Sequence, residues 1–179
     1  MADARTSMDV RLLVDQHYEL LYRYAYRLSG STAEAEDLTQ DTFCTAKEKI
    51  SQLRDPASAR GWLCKILRNH YLQGRRNHAE VFVASLEDLA IEPEHAPDAA
   101  ADVDTERLQA VLGELSEPYR TPIVLFYFQE FSYQQIADQM GVPIGTVMSR
   151  LARAETYLRS RLKAEYVALH PAASSPGVS

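Results

Sequence analysis

The sequence predicts an all-α protein built as two small helical domains joined by an acidic linker. Three observations predict this. Every long apolar pattern recurs at spacings of three and four residues, the mark of a helix with one buried face, and none alternates as a strand does. The pattern stops over residues 79–103, which carry seven acids and no base, include Pro93 and Pro97, and read as a linker. The length of 179 residues suits one ordinary domain or two small ones. The expected divisions are a first domain at 1–78, the linker at 79–103, a second domain at 104–165 and a flexible tail at 166–179.

The elements follow in order. Leu12, Leu13, Tyr18, Leu21, Tyr22, Ala25 and Leu28 mark the buried face of a first helix starting near Val10. Gly30 stops it, and Ser31 or Thr32 caps the next helix. Glu34, Glu36 and Asp37 then favour the positive end of the helix dipole. Leu38, Thr42, Phe43 and Ala46 line one side of that second helix. Leu53-Arg54-Asp55-Pro56 is a break. A third helix is expected from Ala57 to Gln73, with Trp62, Ile66 and Leu67 apolar and Gly74 ending it. Trp62, at helical spacing with Ile66, reads as a core residue. Within the linker, Leu86, Leu89 and Ile91 could form a short anchoring turn.

Helical periodicity returns with Leu108, Val111, Leu112 and Leu115. Ser116 is the expected cap of the next helix, with Pro118 tolerated in its first turn. Pro122 lies deeper and is expected to kink it. Ile123 to Phe128 reads as core. Ser132-Tyr133-Gln134-Gln135 has the form of a capping box. Tyr133 to Met140 is then a helix with Ile136, Ala137 and Met140 inward. Gly141 takes a turn needing positive φ, Val142 plugs the corner, and Pro143 ends the turn. A second helix opens at Ile144-Gly145-Thr146 with Val147 and Leu151 inward. That is helix-turn-helix spacing. It leaves Thr146, Met148, Ser149, Arg150, Ala152 and Arg153 outward or flanking, a polar and basic face for a major groove.

Composition excludes several classes. The longest apolar run, Pro122 to Phe128, has seven residues, and a membrane span needs about 20. The first seven residues carry no apolar segment of a secretory signal. A cytoplasmic protein is expected. Cys44 and Cys64 are too few for a disulfide framework, and both are expected to be buried reduced thiols. Glycine-rich phosphate loops, His-Glu zinc motifs and nucleophile elbows are missing. We therefore expect no enzyme, metal or cofactor.

Charge is informative through its distribution. The net value is −6, but outside residues 79–103 the chain holds 19 bases and 18 acids. Pro56 to His78 has five bases and no acid, and Arg150 to Lys163 has five bases against Glu155. Two cationic patches joined by an anionic tether suit a two-site polyanion binder with weak affinity for free DNA.

A specific resemblance joins these features. Leu115-Ser116-Glu117-Pro118-Tyr119-Arg120, Phe131 to Ala137 and Gly145 to Ala154 resemble region 4 of extracytoplasmic-function (ECF, group IV) sigma factors. Ala35 to Phe43 resembles their region 2.2. Ala59 to Asn69 with Arg75-Arg76 resembles regions 2.3 and 2.4. The resemblance covers about Val10 to His78 and Thr105 to Leu162. Met148 departs from it, standing where the family often has a basic residue, and Pro122 is uncommon in its helix.

The resemblance implies a dissociable specificity subunit of bacterial RNA polymerase. Core polymerase and promoter DNA are the implied partners, and an anti-sigma factor holds many relatives. Asp37, Gln40, Asp41 and Phe43 would meet the polymerase clamp, with Phe43 as a packing anchor. Read from pattern alone, Asp37 and Asp41 fit a solvated helix face equally well. Leu53, Arg60, Lys65, Arg68, Asn69, Arg75 and Arg76 would serve the −10 element, the arginines on phosphates. Thr146, Met148, Ser149, Arg150 and Arg153 would serve the −35 element. There Arg153 would pair with guanine, Ser149 would reach a base or phosphate, and Arg150 would brace a phosphate or the fold. The linker would thread toward the RNA exit path or act as a plain solvated tether. The rival reading is a stand-alone helix-turn-helix DNA-binding regulator.

Overall fold

The computed structural model describes residues 10–77 and 105–169. Seven helices carry these residues: α1 (Val10–Ser29), α2 (Thr32–Glu48), α3 (Ala59–Asn77), α4 (Thr105–Glu114), α5 (Glu117–Ile123), α6 (Tyr133–Met140) and α7 (Ile144–Leu169). Short 3-10 turns at Ile50–Gln52 and Pro56–Ser58 join α2 to α3. No strand occurs among the described residues. The linker at 79–103, its suggested anchoring turn and residues 170–179 of the expected tail lie outside them, whereas 166–169, expected in that tail, continue the helix α7.

The first half is a three-helix unit. Gly30, at φ +74, turns α1 sharply into α2, a conformation that costs a side-chain-bearing residue about 1 kcal/mol or more. Ser31 then caps α2, its hydroxyl accepting from the Glu34 amide. The buried stripe of α1 is Leu13, Leu21, Tyr24, Ala25 and Leu28. It packs on Leu38 and Ala46 of α2 and on Leu63, Leu67 and Tyr71 of α3. Fully burying one such leucine contributes ~1.5–3 kcal/mol. Leu12 and Tyr18, expected inside, are exposed, because the true buried stripe of α1 is narrower than its run of apolar residues. Gly74 does not end α3; the helix continues to Asn77, since its neighbours supply enough helical hydrogen bonding to offset the modest glycine penalty. Cys64 is buried but Cys44 is exposed, because Cys44 falls on the outer face of α2.

In the second half α4 and α5 pack against α7. Pro122 lies inside α5, and the chain beyond it winds as a π-helical turn over Val124–Phe128. A proline removes one helical amide and crowds the preceding turn, which favours such a local change of winding. Ser116 flanks α5 without a side-chain capping bond. The capping box at α6 forms in both arms: Ser132 Oγ accepts from the Gln135 amide, and Gln135 Oε1 accepts from the Ser132 amide at 2.8 Å. Gly141 turns at φ +66. Val147, Leu151 and Ala154 form the buried face of α7.

The two halves share one continuous buried apolar cluster. Polar side chains of the second half also close the end of α1. Gln109 donates to the carbonyls of Tyr26 and Arg27 and accepts from the Arg27 guanidinium. The Tyr26 carbonyl also accepts from the Gly30 amide at 2.8 Å, and the Arg27 carbonyl lies in the last turn of α1, where helical amide partners run out.

Candidate nucleic-acid interface

The basic helix α3 carries most of the predicted −10 residues, and the structure divides them. Lys65, Asn69 and Arg76 are exposed along one side, at the spacings of four and seven that place residues on one helix face. Arg60 and Arg68 turn the other way, toward the second half. The Arg68 Nε donates to Glu117 Oε1 at 2.8 Å, with both side chains largely shielded. The Arg60 guanidinium lies 4.9 Å from the ring centre of Phe131, within cation–π range. Gln139 of α6 donates to the Gly61 carbonyl. Arg75 is half-buried over the Tyr71 ring. Leu53 is half-buried against the core, and Asp55 beside it caps the turn before α3 by accepting from the Ala57 amide. Trp62 is half-buried and lines a cleft of about 500 Å³ between α3 and α6, together with Arg60, Lys65, Asp138 and Gln139.

The predicted polymerase face lies on α2. Asp37, Gln40 and Asp41 are exposed, and Cys44 joins them at the next helical position. The opposite face is buried, with the hydroxyls of Thr39 and Thr42 satisfied by the carbonyls of Ala35 and Leu38. Phe43 is only 8% exposed. It is a core residue rather than a protruding anchor, because position 43 shares the inner face with Thr39 and Thr42. The aromatic ring that reaches solvent here is Tyr18, 48% exposed and stacked on Phe43 with centroids 6.4 Å apart.

The helix-turn-helix expected from the spacing forms between α6 and α7, joined at Gly141. Met148, Ser149 and Arg153 are exposed at the start of α7, while Thr146 and Arg150 are half-buried. Ser149 Oγ donates to the Thr146 carbonyl at 3.0 Å. Farther along α7, Glu114 of α4 accepts two bonds from Arg161 and one from Tyr157. Those donors, the Arg161 hydrogen bond foremost, hold the Glu114 carboxyl below the usual range. The Cys64 thiol is pushed up to about 12 by burial. Among the described residues no group of three or more metal-ligating side chains comes together, and no helix is long and apolar enough to cross a membrane.

Sequence reasoning missed Glu117, Gln139, Gln109 and Arg120. Arg120 had a legible signal: a lone cation within the apolar stretch from Leu115 to Phe128 needs buried acceptors. The others are ordinary polar residues whose partners lie far away in sequence.

Comparison with known proteins accounts for both halves. Residues 13–81 match the family model "Sigma-70 region 2", and residues 105–158 match "Sigma-70, region 4". The chain is 36% identical to the ECF RNA polymerase sigma factor SigE of Mycolicibacterium smegmatis, over 88% of this chain and 61% of that one. It is also 36% identical to the ECF RNA polymerase sigma factor SigL of Mycobacterium tuberculosis, over 86% of this chain and 89% of that one. Among solved structures it resembles the sigma factor RpoE bound to the anti-sigma factor NepR from Bartonella quintana. That likeness has a TM-score of 0.69 at 30% identity, covering 86% of this chain and 96% of the other. Two sigma regions in order, on a fold shared with a solved sigma factor, leave no room for a stand-alone regulator: the chain belongs to the ECF sigma factors of the sigma-70 family.

Proposed function

We propose that this protein, as a group IV sigma factor, docks on core RNA polymerase in the cytoplasm, directs it to a specific set of promoters and initiates transcription there. It contributes recognition and strand capture, with no catalytic chemistry of its own. The observation that carries this is the pairing of a basic helix with a helix-turn-helix in one chain, matched by both sigma regions.

The residue roles extend the same reading. Asp37, Gln40 and Asp41 present carboxylate and amide groups to a basic helical surface of the polymerase. Lys65, Asn69 and Arg76, joined by Arg60, Arg68 and Arg75, take the phosphates and bases of the −10 element. Thr146, Met148, Ser149, Arg150 and Arg153 lie in the major groove of the −35 element. The carboxylates of residues 79–103 suit a basic channel of the polymerase. A protein of the anti-sigma class, such as the one bound to the Bartonella relative, is the matching regulatory partner.

Run-off transcription with core polymerase, followed by sequencing of transcript start sites, tests this. The expected result is a discrete set of start sites sharing two upstream elements. Start sites unchanged by addition of the protein would refute it.

A further inference from the structure

The cleft between α3 and α6, about 500 Å³, is of the size of a small-molecule site. Its two walls carry opposite charge. Arg60 and Lys65 come from α3, whereas Glu130 and Asp138 come from α6 and the turn before it. Among the described residues no ion pair joins one wall to the other. Trp62, half-buried, gives the cleft an aromatic side. Two polar atoms of the lining residues are buried without a hydrogen-bond partner: Arg60 Nε, a donor, and Gln139 Oε1, an acceptor. The Gln139 amide cannot turn over to relieve this. Its Nε2 donates to the Gly61 carbonyl, and a flip would set oxygen against oxygen. Both orphans flank Gly61, one from the adjacent residue and one held on its carbonyl. Buried polar groups are costly to leave unpaired, so a donor and an acceptor stranded beside one residue suit a partner that offers both.

We propose that this cleft binds a small zwitterion of the amino-acid class with an aromatic side chain. The ligand carboxylate accepts from Arg60 Nε, with Lys65 on the same wall. Its ammonium donates to Gln139 Oε1 and faces Glu130 and Asp138, and its ring lies against Trp62. An α-amino acid carries both charged groups on one carbon, which matches two orphans around one glycine. A simple anion would satisfy only the α3 wall, and a simple cation only the other. The site goes beyond the promoter reading and does not depend on it. Arg60 and Lys65 are shared with the proposed −10 contacts, so ligand and strand would compete for them.

Trp62 is the only tryptophan of the chain, so its fluorescence reads this cleft directly. The full-length protein is titrated with L-phenylalanine, with phenethylamine, which lacks the carboxylate, and with hydrocinnamate, which lacks the ammonium. L-phenylalanine should change the emission saturably, with a Kd on the order of 1 mM for a ligand of about a dozen heavy atoms. Each one-charge analogue should bind at least ~10-fold more weakly, having lost a charged hydrogen bond. Arg60→Gln should weaken L-phenylalanine binding by ~10-fold or more. Asp138→Asn should weaken it about 2- to 5-fold; that position is exposed and tolerates the change, which keeps the test open if Arg60→Gln folds poorly. Glu36→Gln, exposed on α2 and outside the cleft, controls for the lost charge and should bind as wild type does. A linear or absent response to L-phenylalanine, equal binding of either analogue, or wild-type affinity in both cleft variants would each overturn the proposal. A Trp62 response to single-stranded oligothymidylate with none to L-phenylalanine would give the cleft to nucleic acid, and would overturn it as well.

Discussion

Arg120 Nη1 donates to the Leu28 carbonyl at 2.6 Å, joining α5 of the second half to the last turn of α1 in the first. The same nitrogen donates to the Tyr71 hydroxyl at 2.9 Å. Nε and Nη2 donate to the carbonyls of Leu112, Gly113 and Leu115 at the end of α4. All five guanidinium N–H groups are thus used, and the charge sits at the C-termini of two helices, where their dipoles are negative.

Replacing Arg120 by Ala should therefore destabilise the whole closed molecule, not one half. It would leave buried carbonyls without donors, at ~1–3 kcal/mol for each buried group left unpaired. The expected loss is at least ~3 kcal/mol, and thermal unfolding should fall by roughly 6–12 °C for a chain of this size. Arg120→Lys should recover only part, because an ammonium has three donors and no planar fork. A melting temperature of Arg120→Ala within about 2 °C of wild type would refute the role.

Glu130 sits at φ +53, in the left-handed region. Its side chain is exposed, so the conformation is imposed by the turn from the π-helical segment into α6, where the Phe131 amide donates to the Leu125 carbonyl. Glycine adopts this φ without steric cost. Glu130→Gly should raise stability by about 0.5–1 kcal/mol, less the entropy glycine adds to the unfolded chain. Denaturant unfolding would show this as a higher midpoint at unchanged slope; a lower midpoint would contradict it.

What was legible in the sequence was local chemistry. The capping box at Ser132 and Gln135, the turn at Gly141 and the inward Val147 and Leu151 each depend on residues a few positions apart, so their types and spacing were enough. Both domains were legible for the same reason. What escaped was set by long-range packing. Phe43 lies on the side of α2 that the spacing of Leu38, Thr42 and Ala46 had marked, and the adjacent Cys44 lies on the outer face; what the spacing did not tell is that the packing of α1 and α2 leaves Phe43 too deeply buried to serve as a protruding anchor. Arg68 read as a free phosphate binder because its partner Glu117 is 49 positions away. Gly74 read as a stop because glycine often is one; here the turns on either side carry the helix through it.

The two cysteines should differ sharply toward a thiol reagent. Cys44 is exposed on the face with Asp37, Gln40 and Asp41, whereas Cys64 is buried with its thiol pushed up to about 12. Thiolate is the reacting species. At pH 8 a maleimide should modify one site per native chain, and peptide mapping should place it at Cys44. Core polymerase should protect Cys44 if the acidic face of α2 is the docking surface. Undiminished labelling in the assembled enzyme would move that surface elsewhere.

Stability should depend on pH through Glu114. Its folded carboxyl is depressed by Arg161 and Tyr157. The stabilisation is thus fully present above the unfolded value of ~4.3 and is lost as pH falls through the lower folded value. The pair is partly exposed, so screening limits it to ~1 kcal/mol or less. Arg161→Ala should lower the melting temperature at pH 7, and the gap from wild type should narrow toward pH 3. A gap that stays constant with pH would show that Arg161 acts by packing alone.

The proposed base reading by the helix-turn-helix is tested most directly at Arg153. Arg153 is exposed on α7, seven residues beyond Thr146, which is about two turns at 3.6 residues per turn. Both therefore project from similar sides of the recognition helix. A guanidinium in the major groove can pair bidentately with guanine, and losing that pair costs ~1–3 kcal/mol, roughly a 5- to 150-fold loss at one base position. Arg153→Ala should therefore relax −35 preference at a single position while leaving −10 preference unchanged. Asn69→Ala should do the reverse, with its loss at the −10 element during opening. Both variants are assayed as holoenzyme on a panel of single-base promoter variants. A phosphate contact would instead weaken every sequence about equally and lower the salt slope by about one. If Arg153→Ala gives that uniform loss, base reading passes to Met148, Ser149 and the half-buried Thr146 and Arg150, and Arg153 keeps only a positioning role on the backbone.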